Sequence, residues 1–136
     1  MALRVEVVSP ERISYSGDAK MVIARVAEGD IAFLPGHVPF IGTLQTHPVR
    51  VLLDDGGEVT VAVHEGFVQV SGDTVTILSD ICEMAGDIDV ARAESARARA
   101  TEALKLDAAD EAAAAALKRA EVRLEVATGK TAAGAH

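Results

Sequence analysis

Apolar and polar residues alternate with a period of two in several stretches of the first half of the chain. The clearest are Leu3-Arg-Val-Glu-Val, Val49-Arg-Val-Leu-Leu, Glu58-Val-Thr-Val-Ala-Val and Thr74-Val-Thr-Ile-Leu. A strand sends successive side chains to opposite faces, so this pattern predicts half-buried β-strands. The valines, isoleucines and threonines that fill it favour the same state. Turn signals stand between these runs. Asp54-Asp-Gly-Gly lies at hairpin spacing, Ser71-Gly-Asp joins Phe67-Val-Gln-Val to Thr74-Val-Thr-Ile, and Tyr15-Ser-Gly-Asp precedes Met21-Val-Ile-Ala-Arg-Val as a further turn. Many short strands without helical crossovers predict an all-β sandwich or flattened barrel that is not largely parallel.

From about residue 88 the alternation stops and alanine, arginine and glutamate take over. The shift predicts a boundary near Gly86, with a β domain over 1–86 and a helical segment over 87–136. Asp87 or Asp89 is placed to cap a first helix over 90–105, because a carboxylate there accepts unpaired amide hydrogens and suits the helix dipole. Asp107 is placed to cap a second helix stopped by Gly129, giving an antiparallel two-helix hairpin, and 131–136 reads as a frayed tail. Large apolar residues on these helices are few: Val90, Leu104, Leu106, Leu117, Val122, Leu124 and Val126. Alanine faces approach closely but bury little area, and at about 25 cal/mol per Å² the pair is marginal alone. A hairpin that reopens and one docked rigidly on the sandwich both remain open.

Charge narrows the function. The chain of 136 residues carries a net charge of -8, most of it before residue 87, where 5 Lys or Arg face 12 Asp or Glu. Nucleic acid is a poor partner for such a surface, since phosphate binding needs a basic patch. The amino terminus shows no basic start followed by an apolar core, as a signal peptide would, and no apolar run reaches the length of a membrane span. Cys82 has no second thiol to pair with, fits a reducing compartment, and reads as a small buried apolar residue. His37, His47, His64 and His136 form no metal-ligand spacing, and neither a P-loop nor a Gly-x-Ser-x-Gly nucleophile turn is present. The expectation is a protein that is not an enzyme and requires no cofactor.

The most informative stretch is Glu28-Gly-Asp-Ile-Ala-Phe-Leu-Pro-Gly-His-Val-Pro-Phe. Ile31, Phe33 and Leu34 are expected to anchor it in the core, Pro35-Gly36 to turn the chain, and Pro39 to prevent a helix, leaving a rigid β connection with an exposed histidine. Its centre resembles the signature of the epsilon subunit of F-type ATP synthases. So do Leu3-Arg-Val-Glu-Val-Val-Ser-Pro, Gly66-Phe67 before Val-Gln-Val, and Asp87-Ile-Asp-Val-Ala-Arg-Ala. The resemblance runs in order over about 1–128. The chain departs from the family pattern at Ala32 and Glu65, where glycine is usual, and at Thr46-His-Pro, which replaces a glycine-containing turn.

The resemblance implies a sandwich that binds the rotating gamma subunit and sits on the membrane ring of c subunits. It thus couples proton-driven rotation to ATP synthesis at the cytoplasmic face of a bacterial membrane, reached only through partner subunits. It places the ring contact at Glu28, Asp30 and His37. It also implies a hairpin that folds down on the sandwich or extends into the alpha/beta head and inhibits ATP hydrolysis, with ATP as a regulatory ligand in some members. The residues that match the family's nucleotide motif are Ile88, Asp89, Arg92 and Ala93, with Glu83 and Asp89 as receivers of the base or ribose. Spacing adds to this: Arg92 and Arg99 are two turns apart on one helix face, and Arg119 and Arg123 one turn apart on the other helix with no acid three or four positions away. In an antiparallel hairpin these guanidinium forks gather and suit a polyphosphate. Nucleotide bound only to the folded hairpin would stabilise it by about 2.7 kcal/mol at a hundredfold excess over Kd. The competing readings are local ion pairing with capping, contacts to partner subunits, and, for the whole chain, a β-sandwich adaptor or ligand-binding module whose hairpin recruits an unrelated partner.

Overall fold

A computed structural model describes residues 2–129, so the tail expected over 131–136 and His136 lie outside the described residues. The chain forms two compact units that divide between Glu83 and Met84, close to the shift in composition.

The first unit is built from ten strands: β1 (Leu3–Val8), β2 (Ile13–Ala19), β3 (Met21–Val26), β4 (Gly29–Phe33), β5 (Phe40–Leu44), β6 (His47–Leu52), β7 (Glu58–Val63), β8 (Gly66–Ser71), β9 (Thr74–Leu78) and β10 (Cys82–Met84). They form two five-stranded groups, β10-β7-β6-β3-β4 and β5-β8-β9-β1-β2, joined where Val26 of β3 pairs with Leu44 of β5. This is the predicted flattened sandwich. All strand pairs with a described register are antiparallel except β1 with β9, which run parallel from Arg4 beside Thr74 to Val8 beside Leu78.

Alternation explains the core. Leu3, Val5 and Val7 of β1, Val22, Ala24 and Val26 of β3, Val49 and Val51 of β6, Val68 and Val70 of β8, and Val75 and Ile77 of β9 are all buried, as is Phe33 at the end of β4. Each of the larger side chains among them contributes about 1.5 to 3 kcal/mol by leaving water. Two anchors expected from sequence behave differently: Ile31 is half-buried and Leu34 is exposed, because β4 ends at Phe33 and the following turn carries Leu34 outward.

Tyr15-Ser-Gly-Asp is not a turn but the middle of β2, in which Gly17 pairs with Val5. The Tyr15 side chain covers Gly17 and fills the space a side chain there would occupy. The ring of Phe40 covers Gly42 in the same way. An aromatic two positions away thus keeps a glycine in a strand, where a reading of turn signals alone sees a break.

The turn between β7 and β8 is the tightest place in the sandwich. Glu65 adopts φ 60°, alone among the described non-glycine residues in the left-handed region, and Gly66 follows at φ 152°. A β-carbon on Gly66 would stand 2.2 Å from the carbonyl oxygen of Leu78. Ser79 secures the turn, its hydroxyl reaching the carbonyl oxygens of Glu65 and, at 3.1 Å, Ile81.

The second unit begins with a 3-10 turn (Ala85–Asp87) and contains α1 (Val90–Leu106) and α2 (Glu111–Thr128). Asp89 caps α1, its carboxylate accepting the Arg92 amide at 3.1 Å. The cap of α2 is Asp110, which accepts the Ala113 amide at 2.9 Å, and not Asp107. Asp107 instead donates its amide to the Ala103 carbonyl and accepts the Ala109 amide on its side chain, so it ends one helix and shapes the link to the next. The four-residue link makes the packed helices antiparallel. Gly129 closes α2 in the left-handed conformation. The buried residues of α1 are alanines only, Ala93 and Ala100, while Leu106 is almost fully exposed.

Replacing Gly66 by alanine should cost roughly 2 to 4 kcal/mol, combining overpacking against backbone with a strained φ. Glu65→Gly should leave stability unchanged or raise it by up to about 1 kcal/mol, since it removes the left-handed penalty of a side chain. Urea denaturation of both variants checks this, and equal destabilisation by the two would contradict it.

Candidate functional site

The signature loop is a chain reversal held from inside. Pro35 and Gly36 occupy the centre of a four-residue turn closed by the His37 amide donating to the Leu34 carbonyl at 3.0 Å. Proline presets the first central φ and Gly36 takes the positive φ of 84° that a type II turn requires. The His37 ring packs edge-on to Phe33, centroids 5.0 Å apart, and to Phe40 at 6.2 Å. Its Nδ1 donates to the Val38 carbonyl at 2.7 Å. His37 is therefore half-buried and fixed, and the exposed apolar side chains beside it are Leu34 and Val38.

Glu28, Asp30 and His37 do not form one patch. Glu28 and Asp30 lie at the β3–β4 turn, whereas His37 follows the opposite end of β4, a five-residue strand rising roughly 3.3 Å per residue. Asp30 is also not an unpaired anion. Arg25 Nε donates to its Oδ1 at 2.6 Å, and this hydrogen bond, opposed by slight burial, holds the Asp30 carboxyl below its ordinary value of 3.8. Arg50 and Glu58 form a similar cross-strand pair with two hydrogen bonds at 2.9 and 3.1 Å.

A second surface went unrecognised in the sequence. Cross-strand register places Thr43, Phe67, Leu78, Val8 and Ile13 in one row across β5, β8, β9, β1 and β2. Phe67, Leu78 and Ile13 are exposed, and Ile41 of β5 is 74% exposed nearby. Thr43, Phe67, Leu78 and Val8 of the row, with Ser9, Pro10, His64 and Asp80, line an open groove of about 710 Å³. The signal was present in Phe67-Val-Gln-Val: if Val68 and Val70 face inward, Phe67 faces out.

His64 lies beside this groove with its side chain 3% exposed, and its Nε2 donates to Glu83 Oε1 at 2.8 Å. Glu83, expected to meet a base or ribose, thus has its carboxylate engaged by a histidine that the sequence reading left without a role. Cys82 is buried as expected, and burial pushes its thiol above the usual range, which keeps it unreactive.

In the helical unit, Ile88 precedes the capping residue Asp89, and Ala93 is one of the two buried residues of α1. Asp89 bonds the backbone of Arg92 and forms no ion pair with its guanidinium. Arg92 and Arg99 line a shallow depression on α1 with Ala91 and Ser95. Arg119 and Arg123 of α2 are half-buried. Among the described residues no three His, Cys, Asp or Glu side chains are grouped to hold a metal, and no helix is long and apolar enough to cross a membrane.

Comparison with known proteins fits this arrangement. The family model described as ATP synthase, Delta/Epsilon chain, beta-sandwich domain matches residues 2–85. An ATP synthase epsilon chain of Brevibacillus brevis is 51% identical over 102 residues, covering 75% of this chain and 77% of the relative. That of Streptomyces griseus is 45% identical over 122 residues, covering 90% and 92%. A chain in the mitochondrial ATP synthase of Euglena gracilis shares the fold, with a TM-score of 0.69 at 20% identity, covering 92% of this chain and 76% of that one. A β-sandwich followed by two helices, matched to this family and these relatives, defines a noncatalytic subunit of an ATP synthase. The chain belongs to the epsilon-chain family of F-type ATP synthases.

The Arg25–Asp30 pair sets a pH dependence. Because the folded carboxyl titrates lower than the unfolded one, its stabilisation is complete above pH 3.8 and is lost as pH falls through the lower folded value. Both partners are substantially exposed, so the effect is less than about 1 kcal/mol. Asp30→Asn should lower stability by that amount at pH 7 and pH 5, with the gap closing towards pH 3. Urea titrations at the three values test this, and a gap that persists undiminished at pH 3 would contradict it.

Proposed function

We propose that this chain couples rotation to ATP synthesis by docking on the gamma shaft through the apolar row and on the c-ring through the loop 34–40. The observation that carries the reading is the row itself. Soluble surfaces rarely leave an aromatic and several aliphatic side chains together in register unless a partner covers them. Phe67 is the natural anchor, being large, rigid and set beside a groove. At the ring, Leu34 and Val38 supply apolar contact around the fixed His37, while the surface charges of Glu28 and the Arg25–Asp30 pair contribute orientation more than affinity. Residence at the cytoplasmic face of a bacterial membrane then follows from these partners.

Phe67→Asp and Leu78→Asp should each abolish copurification with the gamma subunit, while melting within a few degrees of the parent because both side chains are exposed. Undiminished copurification by both variants would redirect the proposal to another face, and a chain that stays monomeric beside gamma in its parent form would favour an independent adaptor.

The helical unit supports a regulatory role within the same reading. Arg92 and Arg99 on α1 face no acidic partner among the described residues, and antiparallel packing sets Arg92 towards the Arg123 end of α2 and Arg99 towards Arg119. A nucleotide triphosphate held by these guanidinium groups would tie α1 to α2, a pair whose α1 side buries only alanine. Low ATP would release the helices to reach the alpha/beta head and restrain hydrolysis. Calorimetric titration of ATP into the full chain, with and without magnesium, should give saturable binding that Arg92→Ala weakens at least tenfold. Absence of binding up to millimolar ATP would return these arginines to subunit contacts.

A further inference from the structure

The loop 34–40 owes its shape to a residue far away in sequence. Asp73 sits in the two-residue turn between β8 and β9, where Gly72 at φ 60° takes the first central position of the hairpin. Its carbonyl accepts the Arg4 amide at 2.7 Å, fixing the start of β1. Its carboxylate Oδ1 accepts the amide of Gly36 at 3.0 Å across 37 positions. The Gly36 amide is the outward-pointing donor of the type II turn, which the turn's own hydrogen bond leaves unused.

We infer that Asp73 is a positioning residue for the ring contact: it pins the tip of the loop, and so fixes where Leu34, His37 and Val38 are presented. The inference rests on the reading that this loop meets the c-ring. Three restraints hold the segment. The turn hydrogen bond fixes its curvature, the His37 ring against Phe33 and Phe40 fixes its far side, and Asp73 fixes its tip to the β8–β9 hairpin. The first two are internal to residues 33–40, and the pairing of Phe33 with Val22 and of Phe40 with Val70 anchors the two ends of the segment in the sheet without reaching its tip. The third alone ties the tip to a separate hairpin. That hairpin also carries Phe67 and Leu78 at its other end, and β5 already pairs with β8, so the pin extends to the loop tip the coupling between the two proposed docking surfaces. A contact that must carry torque gains from this, because ordering the loop beforehand removes that cost from binding.

The test uses the full chain as wild type, Asp73→Ala and Asp73→Asn, with amide hydrogen exchange measured by NMR and affinity measured for the purified, detergent-solubilised c-ring. Asp73→Ala should speed exchange at Gly36 at least tenfold while the amides of β1, β8 and β9 keep their protection, and should weaken ring binding roughly tenfold. Asp73→Asn keeps an acceptor oxygen and should restore both, which a general loss of folding would not allow. Faster exchange at Gly36 with unchanged ring affinity overturns the inference, as does a Gly36 amide indifferent to Asp73. A wild-type chain that fails to bind the ring while Gly36 remains protected overturns instead the docking reading on which the inference rests.

Discussion

The parallel contact between β1 and β9 is the constraint on which the sandwich depends. The amino-terminal strand reaches across the sheet to lie beside a strand some seventy positions later, from Arg4 beside Thr74 to Val8 beside Leu78. Without it the β1–β2 hairpin would have no place in the second group of strands, and Val5 and Val7 would lose the inward neighbours Val75 and Ile77. Parallel pairing costs a long loop closure before it yields any hydrogen bond, so buried β-branched side chains must supply the driving force. The same pairing extends the exposed row. Leu78 meets Val8, and Val8 meets Ile13, only because β1 is inserted there.

Inward and outward faces of the same strands thus do different work. On β8, Val68 and Val70 enter the core while Phe67 stays outside, and on β9, Val75 and Ile77 enter while Leu78 stays outside. A one-residue slip in register would bury Phe67 and expose the valines. The rigid turn at Glu65 and Gly66 guards against that slip, because Gly66 admits the Leu78 carbonyl at a distance no side chain would tolerate. The stabilising core and the candidate shaft surface are therefore set by one register.

Much of this was legible in the sequence because period-two alternation is a direct image of the pleat. The sandwich, the two helices and the Gly129 stop follow from residue types at their positions, and of the two caps the sequence offers, Asp87 and Asp89, the structure uses Asp89. What misled was local chemistry read without its neighbours. Tyr15-Ser-Gly-Asp has the composition of a turn, yet Tyr15 covers Gly17 and the strand continues through it. Asp107 looks like a cap, yet three residues later Asp110 serves better because Asp107 is occupied in ending α1. The pair Arg25–Asp30 joins two strands and His64–Glu83 joins the β7–β8 turn to β10, and both partnerships depend on tertiary pairing that spacing alone does not give. The exposed row was hidden for the same reason: each of its members sits on a different strand.

Glu65 shows how the two requirements meet at one position. Glycine would adopt its φ of 60° with no steric cost, whereas Glu65 places a side chain in a conformation that disfavours one. The surrounding structure absorbs the cost. The Glu65 carbonyl accepts the Ser79 hydroxyl, the same hydroxyl reaches the Ile81 carbonyl, and the His64 amide donates to Ile81 at 3.2 Å. These bonds bind the β7–β8 turn to the segment leading into β10, so the backbone of Glu65 is fixed from both sides whatever its side chain prefers. A penalty of about 1 kcal/mol can persist where the geometry is overdetermined in this way. The side chain gained by it lines the groove beside Phe67 with a carboxylate that glycine would not provide. Glutamate rather than glycine here therefore alters the chemistry of the candidate docking surface while leaving the turn that shapes it intact.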